Sequence, residues 1–134
     1  MPGFSVSAHT DAPVEEVWKL IHDPARFPDW WAGIETVQSG EEGRYTMWPA
    51  GYPEFPMTQQ LRSDHADGRV TISCLVSDLE FRWQLRATEG GTDIDVHVDL
   101  PDREAHRMPA QRALIEESVD RLSRLAVPDS PTGS

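Results

Sequence analysis

Basic charge is scarce in this chain: twelve Lys and Arg stand against 23 Asp and Glu, a formal net charge of −11. That balance removes the electrostatic footing on which proteins bind nucleic acid or anionic membranes. Cysteine is nearly absent as well. Cys74 is alone, so no internal disulfide can form, and a reducing compartment, the cytoplasm, is expected. No run approaches the about 18 apolar residues of a membrane span. The opening "MPGFSVSAHTDAPVEE" has neither the basic stretch nor the apolar segment of a secretory signal. Phosphate-binding loops, a GxGxxG turn, a nucleophile elbow and an HExxH pair are all missing, so nothing calls for a cofactor. Five histidines are present. Asp95, His97 and Asp99 share one strand face, but it lies opposite Ile94, Val96 and Val98 and is therefore the solvated one. No metal site is expected there.

What remains is an ordinary globular composition, 38% hydrophobic and 26% charged over 134 residues. That length suits one domain, able to bury about two thirds of its unfolded surface. We expect one domain over residues 1–126 and a disordered, polar, Pro-rich tail over 127–134.

The periodicity changes along the chain in a readable order. Phe4, Val6 and Ala8 alternate with polar neighbours, as in a strand with one buried face. "TDAPVEEVWKLIHDP" then places Val14, Val17, Trp18 and Ile21 on one helical stripe, with Asp11 or Ala12 as cap and Pro13 in the first turn. Pro24 ends it. "PARFPDWW" predicts a second short helix, since Pro28 forbids a long one. The next six runs read as strands. "GIETVQSG" and "GRYTMWPAG" join around Gly40–Gly43, and "FPMTQQLRSDHA" and "GRVTISCLVS" flank Asp67-Gly68, a two-residue type I′ hairpin signal. "LEFRWQLRA" turns through Gly90-Gly91 into "TDIDVHVDL". From Arg103 to Ala126 a helix is expected, with Ile115, Val119, Leu122 and Ala126 on its buried stripe and Ser118 and Leu125 at the edge.

The order is strand, two short helices, six strands and a long helix: an α+β fold of about seven antiparallel strands. A meander of that length must curl, and only the C-terminal helix is available to cover its concave face. The order resembles the helix-grip fold of the START/Bet v 1-like (SRPBCC) superfamily over nearly the whole chain. "SAHTDAPVEEVWKLIHDPARFPDWW" looks like its N-terminal signature, with an Ala-Pro helix entry, a Val-Trp pair, Asp-Pro and Pro-x-Trp. In length it is similar to the small bacterial polyketide cyclase/dehydrase and lipid-transport proteins. The resemblance implies a cavity between sheet and helix holding a polyketide- or lipid-like molecule, with no nucleic acid and no membrane insertion. The alternatives are a polyketide cyclase, aromatase or dehydratase working in that cavity and a protein-interaction module presenting the outer sheet face.

Inward strand parity nominates Tyr45, Met47, Met57, Gln59, Cys74, Phe81 and Trp83 as ligand-binding. The long helix adds Met108 and Ser118, and the loop Pro49–Pro56 adds Tyr52, with Phe55, as a lid. Trp30 and Trp31 cannot both face one way, because neighbours on a helical turn point about 100° apart. One belongs in the core and the other at the cavity rim. No inward pair of carboxylates is visible, so no catalytic residue is nominated. The resemblance implies a pocket arginine in cyclases of this type. Its aligned position is Leu61, and the neighbouring Arg62 has the opposite parity.

Overall fold

The computed structural model describes residues 3–51, 54–75 and 78–127. Seven strands form one sheet: β1 (Gly3–Thr10), β2 (Ile34–Ser39), β3 (Arg44–Pro49), β4 (Met57–Asp64), β5 (Arg69–Cys74), β6 (Glu80–Thr88) and β7 (Gly91–Asp99). Their order across the sheet is β1-β7-β6-β5-β4-β3-β2, every pair antiparallel. The meander thus curls until its last strand meets the first. Helices α1 (Val14–Ile21) and α2 (Phe27–Trp30) follow β1, joined by a 3-10 turn at Pro24–Arg26. The 19-residue α3 (Met108–Ala126) follows β7 after a 3-10 turn at Asp102–Arg107. This is the helix-grip architecture.

The buried parity of the strands is the expected one. On β7, Ile94, Val96 and Val98 are at most 1% exposed, while the alternate residues meet solvent. Those form a cross-strand polar ladder: Ser5 Oγ lies 2.7 Å from His97 Nδ1, His97 Nε2 lies 2.9 Å from Asp99, and Arg82 donates to Asp99 at 2.7 Å. Asp95, also on this face, accepts from Ser7 and Arg86. Across the core, α3 contributes Ile115, Val119, Leu122 and Ala126.

Four local details differ from the reading of the sequence. The chain is helical from Asp102, close to the expected Arg103, but the first six residues are 3-10 and the α-helix proper begins at Met108, because Pro109 lacks an N–H and fits only a first turn. Leu125, expected at the edge of the buried stripe, is 47% exposed. Helix α1 has Pro13 as its N-cap and no side-chain cap. The β4–β5 turn spans four residues, 65–68, between the paired Asp64 and Arg69. Its Gly68 takes φ 65 and donates to the His65 carbonyl at 3.1 Å, and Asp64 accepts from the Asp67 amide at 3.2 Å. The longer loop lets the His65 ring stack on Trp18 at 4.7 Å, with His22 stacked at 5.4 Å. The β6–β7 turn is tight for a different reason. Gly91 has φ 149, and a Cβ there would stand 2.0 Å from the Thr10 carbonyl oxygen, so only glycine lets the turn press onto the end of β1.

Candidate functional site

Between α2, the N-terminal half of α3 and strands β3 to β6, the core is hollow. The cavity measures about 130 Å³ and opens to solvent. It is lined by Trp31, Ala32, Gly33 and Ile34 from the corner after α2, by Tyr45, Met47 and Pro49 of β3, and by Met57 and Gln59 of β4. Cys74, Leu79 and Phe81 complete the sheet side, and Arg107, Gln111 and Leu114 form the helix side.

Local physics places the two tryptophans differently. Trp30 closes the one-turn helix α2, is fully buried, and donates from Nε1 to the Leu20 carbonyl at 3.0 Å. The chain leaves helical geometry at Trp31, whose φ and ψ are −83° and 107°. That turn swings the second indole onto the cavity wall. The rings still stack at 5.3 Å, and Trp31 meets Phe81 edge-on at 5.1 Å. Edge-to-face aromatic pairs are worth about 0.5–1.5 kcal/mol beyond their buried area, so Phe81 and Trp83, both edge-on to Trp31, hold the wall that it presents.

The polar lining carries the chemistry. Gln59 is 4% exposed and donates from Nε2 to Cys74 Sγ at 3.2 Å. Its carbonyl oxygen has no hydrogen-bond partner among the described residues. Tyr45, 3% exposed, packs edge-on against Phe27 at 5.6 Å. Its hydroxyl likewise bonds to none of the described residues. Burial, and after it the neighbouring Cys74, raises the Tyr45 pKa far above that of an ordinary phenol. Tyr45 is therefore a neutral hydrogen-bond donor at any physiological pH and not a base. At the helix side Arg107 donates to Glu104 at 2.7 Å. This bond is the main reason why the Glu104 carboxyl is held below its ordinary value.

Seven nominated residues meet at the cavity: Trp31, Tyr45, Met47, Met57, Gln59, Cys74 and Phe81. Four others do not line it. Trp30 is held in the core by its bond to Leu20. Trp83 is fully buried behind Trp30 and Trp31, edge-on to both at 5.2 and 5.4 Å. Met108 packs on the core from the start of α3. Ser118 is a clamp: its Oγ accepts from the Ala32 amide at 2.8 Å and donates to the Leu114 carbonyl at 2.7 Å, pinning the cavity corner to α3. Tyr52 lies outside the described residues, and Phe55 is 63% exposed. The helix residues Arg107, Gln111 and Leu114 are not among those that the sequence nominates. Their signal is the i, i+4, i+7 spacing that continues to Ser118, obscured because a charged residue on a helix edge ordinarily reads as solvated. Leu61 is buried and Arg62 exposed, so the cavity's guanidinium comes from the helix and not from β4.

No curated protein matches the chain. Among solved structures, an uncharacterised protein from Bacillus thuringiensis superposes with TM-score 0.77 at 16% identity, covering 95% of this chain and all of the other. The di-domain ARO/CYC BexL of the BE-7585A biosynthetic pathway gives TM-score 0.73 at 21% identity, over 94% of this chain and 45% of BexL. An AHSA1-like protein from Aeromonas hydrophila gives TM-score 0.71 at 17% identity, covering 96% and 97% of the two chains. At these identities the likeness is one of fold. The family model described as polyketide cyclase/dehydrase and lipid transport matches residues 1–127, and the chain belongs to that family.

Proposed function

We propose that the protein binds a small, mostly hydrophobic molecule in this cavity and acts as a carrier or binding protein. The observation that carries the reading is the pair Tyr45 and Gln59. Both are almost fully buried, both line the hollow among mostly apolar side chains, and each keeps a hydrogen-bonding atom without a partner among the described residues. A ligand with a hydroxyl or carbonyl function at its inner end pairs with these groups, a net contribution of about 0.5–1.5 kcal/mol per hydrogen bond. Size restricts the ligand further. A dry cavity of about 150 Å³ accepts one benzene ring, so the hollow of about 130 Å³ suits one ring or a short branched chain at its inner end. The working unit is the single domain over residues 1–126. The buried thiol of Cys74 supports a reducing compartment, the cytoplasm, as its place of action.

The fold likeness to an ARO/CYC protein favours a second reading, polyketide cyclase or dehydratase activity. The neutral Tyr45 hydroxyl, a proton donor to a carbonyl, supports it. Against it stands the position of Leu61, where the resemblance implies an arginine.

Cys74 makes the experiment direct. The only thiol of the chain is in the cavity wall, so an occupant must slow its alkylation by a maleimide. Single-ring phenols and short-chain alcohols are expected to protect Cys74 and to raise Tm, by about 2.7 kcal/mol of stabilisation at a hundredfold excess over Kd. Unchanged alkylation and Tm across the series would refute the cavity reading. Conversion of a poly-β-ketone to one cyclised product, lost in Tyr45→Phe, would move the assignment from carrier to enzyme.

A further inference from the structure

The inference rests on the cavity-binding reading and names the group that the ligand carries. We infer that the inner end of the cavity selects a neutral amide edge, the N–H beside a C=O of a lactam or primary carboxamide, read by Gln59 and Tyr45 together.

The sheet register puts the two groups side by side. Tyr45 on β3 pairs with Gln59 on β4, and Gln59 pairs with Cys74 on β5. The three therefore form one row across neighbouring strands. Directly opposed residues have Cβ atoms about 4.5–5.5 Å apart, so one small functional group is in reach of both Tyr45 and Gln59. All three residues are at most 4% exposed, and all three line the cavity. Cys74 decides which end of the amide is available. Gln59 donates from Nε2 to Cys74 Sγ at 3.2 Å. That leaves Oε1, an atom that can only accept, without a partner among the described residues. Tyr45 supplies the opposite sense. Its phenol stays protonated, chiefly because it is buried, and its hydroxyl has no acceptor among the described residues.

One acceptor beside one donor calls for a ligand with a donor beside an acceptor, and chemistry narrows the choice. A carboxylate has no donor, and burying its charge among these residues is costly. A hydroxy ketone has both groups but can close one onto the other within its own molecule. An acyclic secondary amide holds its N–H and C=O on opposite sides, because the trans form is strongly favoured. A lactam or a primary amide shows both on one edge and cannot bond them to each other. The hollow of about 130 Å³ has room for one such ring. A ligand without the N–H would shut water away from Gln59 Oε1 and leave it unmatched. That penalty on the wrong ligand is what makes a buried polar group selective.

The experiment compares δ-valerolactam with N-methyl-δ-valerolactam and cyclohexanone, which keep the carbonyl and lack the N–H. Affinity is read by titration calorimetry and occupancy by protection of Cys74 from a maleimide. Wild type is set beside Gln59→Leu and Tyr45→Phe, each first shown to be folded by its urea midpoint. The lactam is expected to bind wild type at least about tenfold more tightly than either comparison compound. Gln59→Leu should bring that ratio close to one. Tyr45→Phe should weaken all three compounds by a similar factor and leave the ratio unchanged, since it removes only the donor that their carbonyls share. If cyclohexanone protects Cys74 in wild type and the lactam shows no preference, the amide inference falls and the cavity reading stands. A preference that survives Gln59→Leu also overturns it, as does tighter binding of the ketone, which would mean that Gln59 presents its NH2. If none of the three binds wild type, the amide inference falls, and the cavity reading falls with it unless phenols still protect Cys74.

Discussion

Where α1 packs on α3, β6 and β7, three polar groups brought into the core have protein partners, while Trp83 Nε1, buried behind the indoles, has none among the described residues. Thr10 Oγ1 donates to the Ser123 carbonyl at 2.8 Å, Thr92 Oγ1 to the Ala12 carbonyl at 2.8 Å, and Trp30 Nε1 to the Leu20 carbonyl at 3.0 Å. On the other side of Trp30 the rule changes. Tyr45 and Gln59 are as deeply buried as Thr10 and line the hollow, yet the phenol and the amide oxygen have no partner among the described residues. One region uses buried polarity to lock secondary structure together, and the other holds it in reserve. The boundary between them is the pair of stacked indoles. A single apolar core is thus hydrogen-bonded across its elements at one end and hollow at the other, and the contrast can be attacked from either side.

The largest effect is expected at the boundary. Trp30→Ala removes a fully buried indole and strands the Leu20 carbonyl, and should cost about 3–5 kcal/mol. Trp31→Ala opens volume that is already partly empty and loses fewer packing contacts, so roughly half that loss is expected. Urea midpoints of the two variants test the order. A Trp31 variant less stable than the Trp30 one would erase the distinction between closed and hollow ends.

Ser118→Ala is next. The hydroxyl holds the Ala32 amide, and a buried N–H left without an acceptor costs about 1–3 kcal/mol. Because Ala32 and Gly33 form the cavity corner, ligand affinity should fall together with stability. Loss of stability with unchanged affinity would show that the clamp serves the closed end alone.

Much of the hollow end is legible in the order of the amino acids. Strand alternation has a period of two, so parity alone selects Tyr45, Met47, Gln59, Cys74 and Phe81 for the concave face. Parity does not separate Trp83 from Phe81, two residues apart on β6, because both point inward and only the depth of the curl decides which one meets the hollow. Helix periodicity is less informative. A stripe at 3.6 residues per turn is broad, and Ser118 and Met108 sit on it without touching the cavity, while the charge of Arg107 disguises it as a solvated residue. The two indoles are separable in principle but not by name, since the switch rests on the extended ψ of Trp31, a property of the chain's path.

Alkaline pH probes the hollow end through Tyr45. Its pKa is raised by burial first and by Cys74 second, so the folded state keeps its proton while the unfolded chain loses it near the ordinary value of about 10. The stability that this contributes is fully present below about pH 10 and is lost as pH rises beyond it, by about 1.4 kcal/mol per pH unit. Tyr45→Phe should remove that part of the slope. An identical alkaline unfolding profile in the variant would mean that the phenol reaches water.

The smallest stability effect, and the sharpest contrast, comes from adding atoms. Cys74 is in the cavity wall and Val70 lies four residues earlier on the same face of β5, fully buried. Methionine at either position adds side-chain volume without charge. At Val70 the neighbours are close-packed, and overpacking should cost about 1–3 kcal/mol. At Cys74 the extra atoms enter a void of about 130 Å³, where new dispersion contacts offset the lost contact with the Gln59 amide. A net change below about 1.5 kcal/mol is expected, as for volume changes a core tolerates. The same filling must exclude ligand, so Cys74→Met should abolish the ligand-induced rise in Tm while Val70→Met retains it at a lower baseline. Equal destabilisation at the two sites would mean that the hollow end closes in solution. A Cys74→Met protein that still binds would place the ligand elsewhere than beside Gln59 and Tyr45.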